Sequence, residues 1–298
     1  MPIDYQDKLI LSGYRTPGLT ALESVWSIFQ WHNETFNFWT HFLVFGYFIW
    51  KFATLDIPDW SDPYYWPLLC ACIGTCTYPL LSSLAHAFSS MDAKTRHLVF
   101  YLDYMGISIF SCTSSAGFLA YSSPAHVLVS PVAYFFAYMC GILAVMSCIA
   151  CCMSRHQEAR DIAQLLRLSS FSVPFLFTTS FLLFWLFYNQ SSPLKHHYPH
   201  ILWNPMIALV NASKLPERLV PFYFDVIGHS HQIFHVVVFI ATNYQMDALI
   251  QDCFLKKGAI NLEFVSGLNV QIMLLVFVAD TIAIVYYAAK QQKIIKKS

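Results

Sequence analysis

Two histidines, His231 and His235, stand four residues apart in the run Gly228-His-Ser-His-Gln-Ile-Phe-His235, which opens an apolar stretch. Positions i and i+4 of a helix share a face, so the two imidazoles point the same way and can share one metal ion, whereas His229 points elsewhere and makes a poor ligand. One more histidine at the same depth completes a zinc site with three protein ligands and an open fourth position, the arrangement catalysis requires. His86, in Ser82-Ser-Leu-Ala-His86, is the candidate third ligand. Zinc lowers the pKa of bound water to about 7 and so supplies a hydroxide able to attack an ester or amide carbonyl. Asp103 is the candidate to orient that water or accept its proton. Ser82, one helical turn before His86 on the same face, is placed to hydrogen-bond to water, substrate or the aspartate.

Helices in a membrane have to position these residues. The 298 residues are 57% hydrophobic, 17% aromatic and only 11% charged, a balance that argues against a soluble protein. Apolar stretches of roughly 20 residues, enough to cross the hydrocarbon core, lie near 36–54, 64–88, 97–120, 127–150, 169–188, 229–246 and 269–288. A further stretch, sixth in chain order, covers about 200–218; it contains Asn204, Pro205, Asn211 and Ser213 and is expected to be buried among neighbours. The reading is an all-α integral membrane protein with eight spanning helices between residues 36 and 288. Residues 1–35 form an amino-terminal segment, and 289–298 a basic tail. Leu19, Leu22, Val25, Trp26, Ile28 and Phe29 make part of the first segment amphipathic, suited to the inner membrane surface or to packing on the mouth of the bundle. Only the connection at about 247–268 is expected to be long.

The net charge is zero, which gives no reason to expect a nucleic-acid partner. With both chain ends in the cytoplasm, thirteen of the seventeen Lys and Arg residues fall inside and only Lys51, Lys195, Lys256 and Lys257 outside, a bias that supports counting the sixth span. The same orientation puts His86, Asp103, His231 and His235 in the cytoplasmic leaflet. Residues Met1–Lys8 are polar, so a cleavable signal is not expected.

Other polar groups within or beside the spans are hypotheses in their own right. Asp280, in mid-span of the last helix, is expected to pair with a polar group of the bundle or to touch a ligand. Glu34 is expected to cap the first spanning helix and reach its neighbours, and it is a second candidate for ligand contact. His41 and His97, near helix ends, are expected to be interfacial. Cys148, Cys151 and Cys152 suit apolar packing or reversible palmitoylation. Asn189-Gln-Ser191 is a glycosylation sequon that hugs the membrane on the outer side.

Glu34-Thr-Phe-Asn-Phe-Trp-Thr-His41, Ser82-Ser-Leu-Ala-His86, Leu102-Asp-Tyr-Met-Gly106, Pro216-Glu-Arg218 and Ser230-His-Gln-Ile-Phe-His235 together resemble the progestin and adipoQ receptor family. Ser12-Gly-Tyr-Arg-Thr-Pro17, the short amino end and the last helix make the chain most similar to the membrane progestin receptor branch. The resemblance implies a seven-helix bundle of the adiponectin receptor type with an additional carboxy-terminal helix, eight in all. It also implies Zn2+ held by His86, His231 and His235, with Asp103 and Ser82 beside it, and an intracellular amino terminus. For this branch it implies a steroid-responsive receptor of the cell membrane that couples to heterotrimeric G proteins. Adiponectin receptors and the related alkaline ceramidases imply the rival reading, a zinc-dependent lipid amide hydrolase. A purely structural zinc is disfavoured, because a closed site normally supplies four protein ligands.

Overall fold

The structure is a computed structural model that describes residues 5–7, 9–157, 159–189, 194–258 and 262–295. Its regular elements are all helical: α1 (Ala21–Ser27), α2 (Thr35–Ala53), α3 (Trp66–Phe88), α4 (Ala93–Gly117), α5 (Ala125–Leu128), α6 (Pro131–Ser154), α7 (Arg160–Asn189), α8 (Leu194–Ser213), α9 (Ser230–Lys256) and α10 (Glu263–Ile295). Among the described residues, five helical stretches are long and apolar enough to cross a membrane: Pro63–Phe88, Pro131–Ser154, Asp161–Tyr188, Ser230–Lys256 and Glu263–Ile294. The remaining long helices, α2, α4 and α8, have 19, 25 and 20 residues, a spanning length, but carry more polar side chains.

Local chemistry explains where several helices begin. Thr20 and Glu23 form a reciprocal capping box on α1. The Asp92 carboxylate accepts from the Lys94 and Thr95 amides at the start of α4, and Ser130 caps α6 with Pro131 in its first turn. Small residues then set how closely helices approach, as expected where lipid supplies no hydrophobic drive for association. A Cβ on Gly74 would stand 2.1 Å from the Thr113 hydroxyl oxygen of α4, so α3 and α4 pack with their backbones close. Beyond that pair, α2 packs on α3 and α9, α8 on α9, and α10 on α4 and α6. The outward side of α10 leaves Leu274, Leu275, Phe277, Val278 and Ile282 exposed, a surface suited to lipid tails.

The structure differs from the sequence reading at two connections. The long loop expected at about 247–268 is mostly helix, because α9 continues to Lys256 and α10 begins at Glu263. Its polar residues are satisfied by distant partners. Lys51 Nζ donates to Asn243 Oδ1 (2.6 Å) and Asp247 Oδ1 (2.7 Å), while Ser122 and His197 hold Asp252. The long connection is instead 214–229, between α8 and α9. It is pinned to the amino-terminal segment by Ser12 Oγ, which donates to Asp225 Oδ2 at 2.7 Å.

Candidate metal centre

The start of α9 carries the first two ligands of the candidate site. Glu217, from the 214–229 connection, lies against that helix end: the Ser230 amide donates to Glu217 Oε2 at 2.7 Å and the Ser230 hydroxyl to Glu217 Oε1. An acidic group there pairs with the unsatisfied amides and favourable dipole of the helix N-terminus. His231 and His235 follow, one turn apart, and face the last turn of α3, where His86 stands two residues before Phe88. The three histidines offer ligand atoms that all lie within 4.8 Å of one another. His86 Nε2 and His231 Nε2 are 3.3 Å apart. The edge of a tetrahedron with metal–nitrogen bonds of about 2.0–2.1 Å is roughly 3.3 Å, so this pair already stands at the spacing that zinc requires.

The outward nitrogens explain why the others converge. His86 Nδ1 pairs with Glu34 Oε2 at 2.7 Å, from the N-cap of α2, and His235 Nδ1 with Thr40 Oγ1 at 2.9 Å, from its second turn. A partner on Nδ1 orients a ligating imidazole and leaves Nε2 free to point at the centre. Glu34 Oε2 also accepts from Asn37 Nδ2 at 2.7 Å. Glu34 therefore meets a candidate metal ligand, and it stands at the N-cap position of α2 without a capping hydrogen bond.

On α4, Asp103 lies beside Ser82 and His86 of α3. This is the neighbourhood assigned to Asp103 and Ser82 from their sequence positions. His229 sits outside the triad, where its Nε2 faces Asn33 O at 3.3 Å and Gln232 Nε2 at 2.9 Å. Asp280 is fully buried elsewhere, beside Ser108 of α4 and Cys148 of α6. Cys148, Cys151 and Cys152 are buried against Tyr101 and Tyr104, which suits packing and leaves their thiols unexposed to a lipid-transferring enzyme. The Asn189 sequon lies outside the residues whose side chains are described.

Four residues around the site have roles that sequence reasoning did not assign. Arg15 is buried, and its guanidinium donates to His86 O (2.6 Å), Ala87 O (2.7 Å), Ser27 Oγ (2.8 Å) and Ser89 Oγ (3.0 Å). It thereby satisfies carbonyls at the end of α3 and fixes the backbone that carries His86. Its position within the Ser12–Pro17 motif was the available signal. Thr40 and Glu217 have the roles given above. His41, expected to be interfacial, instead stacks on His235 with ring centroids 3.6 Å apart and planes at 13°. A second buried cluster was also missed: His197 lies 3.0 Å from Asp252 and 3.1 Å from His200. The spacing of His196, His197 and His200 was the signal for it.

The region that holds the triad also matches known proteins. Residues 29–246 match the family described as haemolysin-III related. The chain belongs to the progestin and adipoQ receptor family. Within it, the chain is 35% identical to membrane progestin receptor gamma of Homo sapiens, with 86% of this chain and 81% of that protein covered. It is 35% identical to membrane progestin receptor gamma-B of Danio rerio, over 87% of this chain and 82% of the relative. Membrane progestin receptor delta of Mus musculus is 36% identical, over 85% and 77%. This family membership, with the apolar helices described above, makes the chain a multi-pass membrane protein of the membrane progestin receptor branch.

Proposed function

We propose that this protein is a cell-membrane receptor for a progestin-like steroid or another uncharged lipid, with zinc at His86, His231 and His235, and that it signals through heterotrimeric G proteins. The observation that carries the receptor reading is its similarity, over most of its length, to proteins named membrane progestin receptors. The zinc assignment is supported by the donor set: three imidazoles, two of them held by partners on Nδ1. The proposed topology has eight spans with both ends in the cytoplasm, supported by the thirteen-to-four distribution of basic residues. Epitope tags at Met1 and Ser298 should then stain only after permeabilisation; staining of the carboxyl tag on intact cells would mean an odd number of spans.

One observation favours a second reading, hydrolysis of a lipid amide such as ceramide. Asp103 and Ser82 stand beside His86, and the triad supplies only three protein ligands. Zinc bound there would supply an acidified water. In this reading His86, His231 and His235 hold the metal, while Asp103, with Ser82 beside it, accepts a proton. Purified protein offered tritiated progesterone and ceramide, with and without chelator, separates the two. Saturable steroid binding with a guanine-nucleotide exchange response in cells supports the receptor. Ceramide cleavage that vanishes in His86→Ala, without steroid binding, replaces it with the enzyme.

A further inference from the structure

The stacked ring of His41 presents an unresolved polar demand at the heart of the site. Its side chain is 4% exposed, and neither Nδ1 nor Nε2 has a hydrogen-bond partner. One face lies on His235 at 3.6 Å, and the ring meets Tyr78 edge-on at 5.7 Å and 82°. The Tyr78 hydroxyl, near Thr242, is itself buried without a hydrogen-bond partner. One turn before His41, on the same face of α2, Asn37 is 3% exposed; its amide donates to Glu34, while its Oδ1 also has no partner. Continuing along α2, Val44 and Phe48 are buried and apolar. This face therefore runs from two unpaired polar side chains into hydrocarbon.

Stacking alone would be served better by phenylalanine, which keeps a flat ring and buries no unpaired nitrogen. A buried polar atom without a partner weakens a fold, so an imidazole at this position calls for a partner that the protein does not itself supply. A neutral imidazole offers one donor and one acceptor, and Asn37 Oδ1 adds an acceptor. Uncharged hydroxyl or carbonyl oxygens match that set, whereas a carboxylate or phosphate would have only one donor to meet it. We infer that His41, assisted by Asn37, is the polar anchor for the oxygen-bearing end of an uncharged lipid ligand, whose apolar body lies along α2 toward Val44 and Phe48. The inference rests on the lipid-ligand reading above and adds to it the residue that recognises the ligand.

The test compares wild-type protein with His41→Phe and His41→Asn, using tritiated progesterone and fluorescent ceramide as probes. Zinc per chain and the thermal midpoint are measured on the same preparations. His41→Phe is expected to retain wild-type zinc content and to melt no lower than wild type, yet to bind the probe about tenfold more weakly or worse. His41→Asn, which restores a donor and an acceptor, is expected to recover part of that affinity. Undiminished probe binding by His41→Phe would overturn the inference, leaving the ring as packing. Loss of zinc in His41→Phe would also overturn it, because the ring would then serve the metal ligands. Failure of wild-type protein to bind either probe would defeat the lipid-ligand reading together with the anchor, so the two failures are distinguishable.

Discussion

Removing the Glu34 carboxylate should loosen the metal without unfolding the protein. In Glu34→Ala, His86 Nδ1 loses its 2.7 Å partner and the imidazole is free to turn, while Asn37 Nδ2 loses the same acceptor. A hydrogen bond to a charged group contributes about 1.5–3 kcal/mol. At about 1.4 kcal/mol per tenfold, that corresponds to a loss of metal affinity of about 10- to 100-fold, the range typical for partners of ligating histidines. The Glu34 side chain is 19% exposed, so solvent screening places the effect in the lower part of this range, about 10- to 30-fold. Glu34→Gln keeps an acceptor but loses the charge, and should fall between Ala and wild type. Thr40→Val removes a neutral partner from His235 and should cost about two- to tenfold. Competition titration against a zinc chelator of known affinity, on purified protein with an intact helical circular-dichroism spectrum, measures each value. An affinity for Glu34→Ala within twofold of wild type would refute the claim that the carboxylate orients His86.

The ligand assignment predicts that His231→Ala and His235→Ala each lose most bound zinc by elemental analysis while His229→Ala keeps it; equal loss from all three would refute it. Asp103→Asn should retain zinc and abolish any lipid-amide turnover, measured on the same preparation, since it removes a proton acceptor and leaves every ligand in place. Acid should loosen the docked amino-terminal segment through His32. Burial and the nearby Arg15 charge hold its pKa down at about 4, and its neutral ring accepts from the Glu34 amide at Nδ1 (3.1 Å) while Nε2 donates to Ser27 O (2.9 Å). Because the folded value lies below the unfolded one of about 6.5, the unfolded segment takes up the proton first. The stabilisation is complete above about pH 6.5 and is lost as pH falls toward 4. Hydrogen-exchange protection factors across residues 27–34, corrected for the intrinsic slowing of exchange in acid, should fall over that window, and a flat profile would contradict it.

Much of the site was legible because it depends on local periodicity. The four-residue spacing of His231 and His235 fixes their common face on any helix, and the four-residue spacing of Ser82 and His86 does the same on α3. The apolar stretches are legible for an equally simple reason: a bilayer demands length and low charge, and both are read directly from the chain. Spacing, however, says nothing about which ring nitrogen faces the centre. That choice belongs to Glu34 and Thr40, which lie 52 and 195 positions along the chain from the histidines they orient.

The same limit applies where polar residues interrupt an apolar run. Asn243, Asp247 and Asp252 read as the end of a helix until Lys51, His197 and Ser122 are brought against them, after which α9 continues to Lys256. His41 looked like an interfacial histidine because nothing near it in the chain explains a buried ring; only the packing of α2 against α9 lays it on His235. Sequence alone thus determined the membrane class through composition, the histidines with the chemistry to hold a metal through short-range periodicity, and the family through the resemblance of its ordered motifs. Tertiary structure decided their partners, their outward nitrogens and the ring stacked against them, because a hydrogen bond depends on distance in space and is blind to distance along the chain.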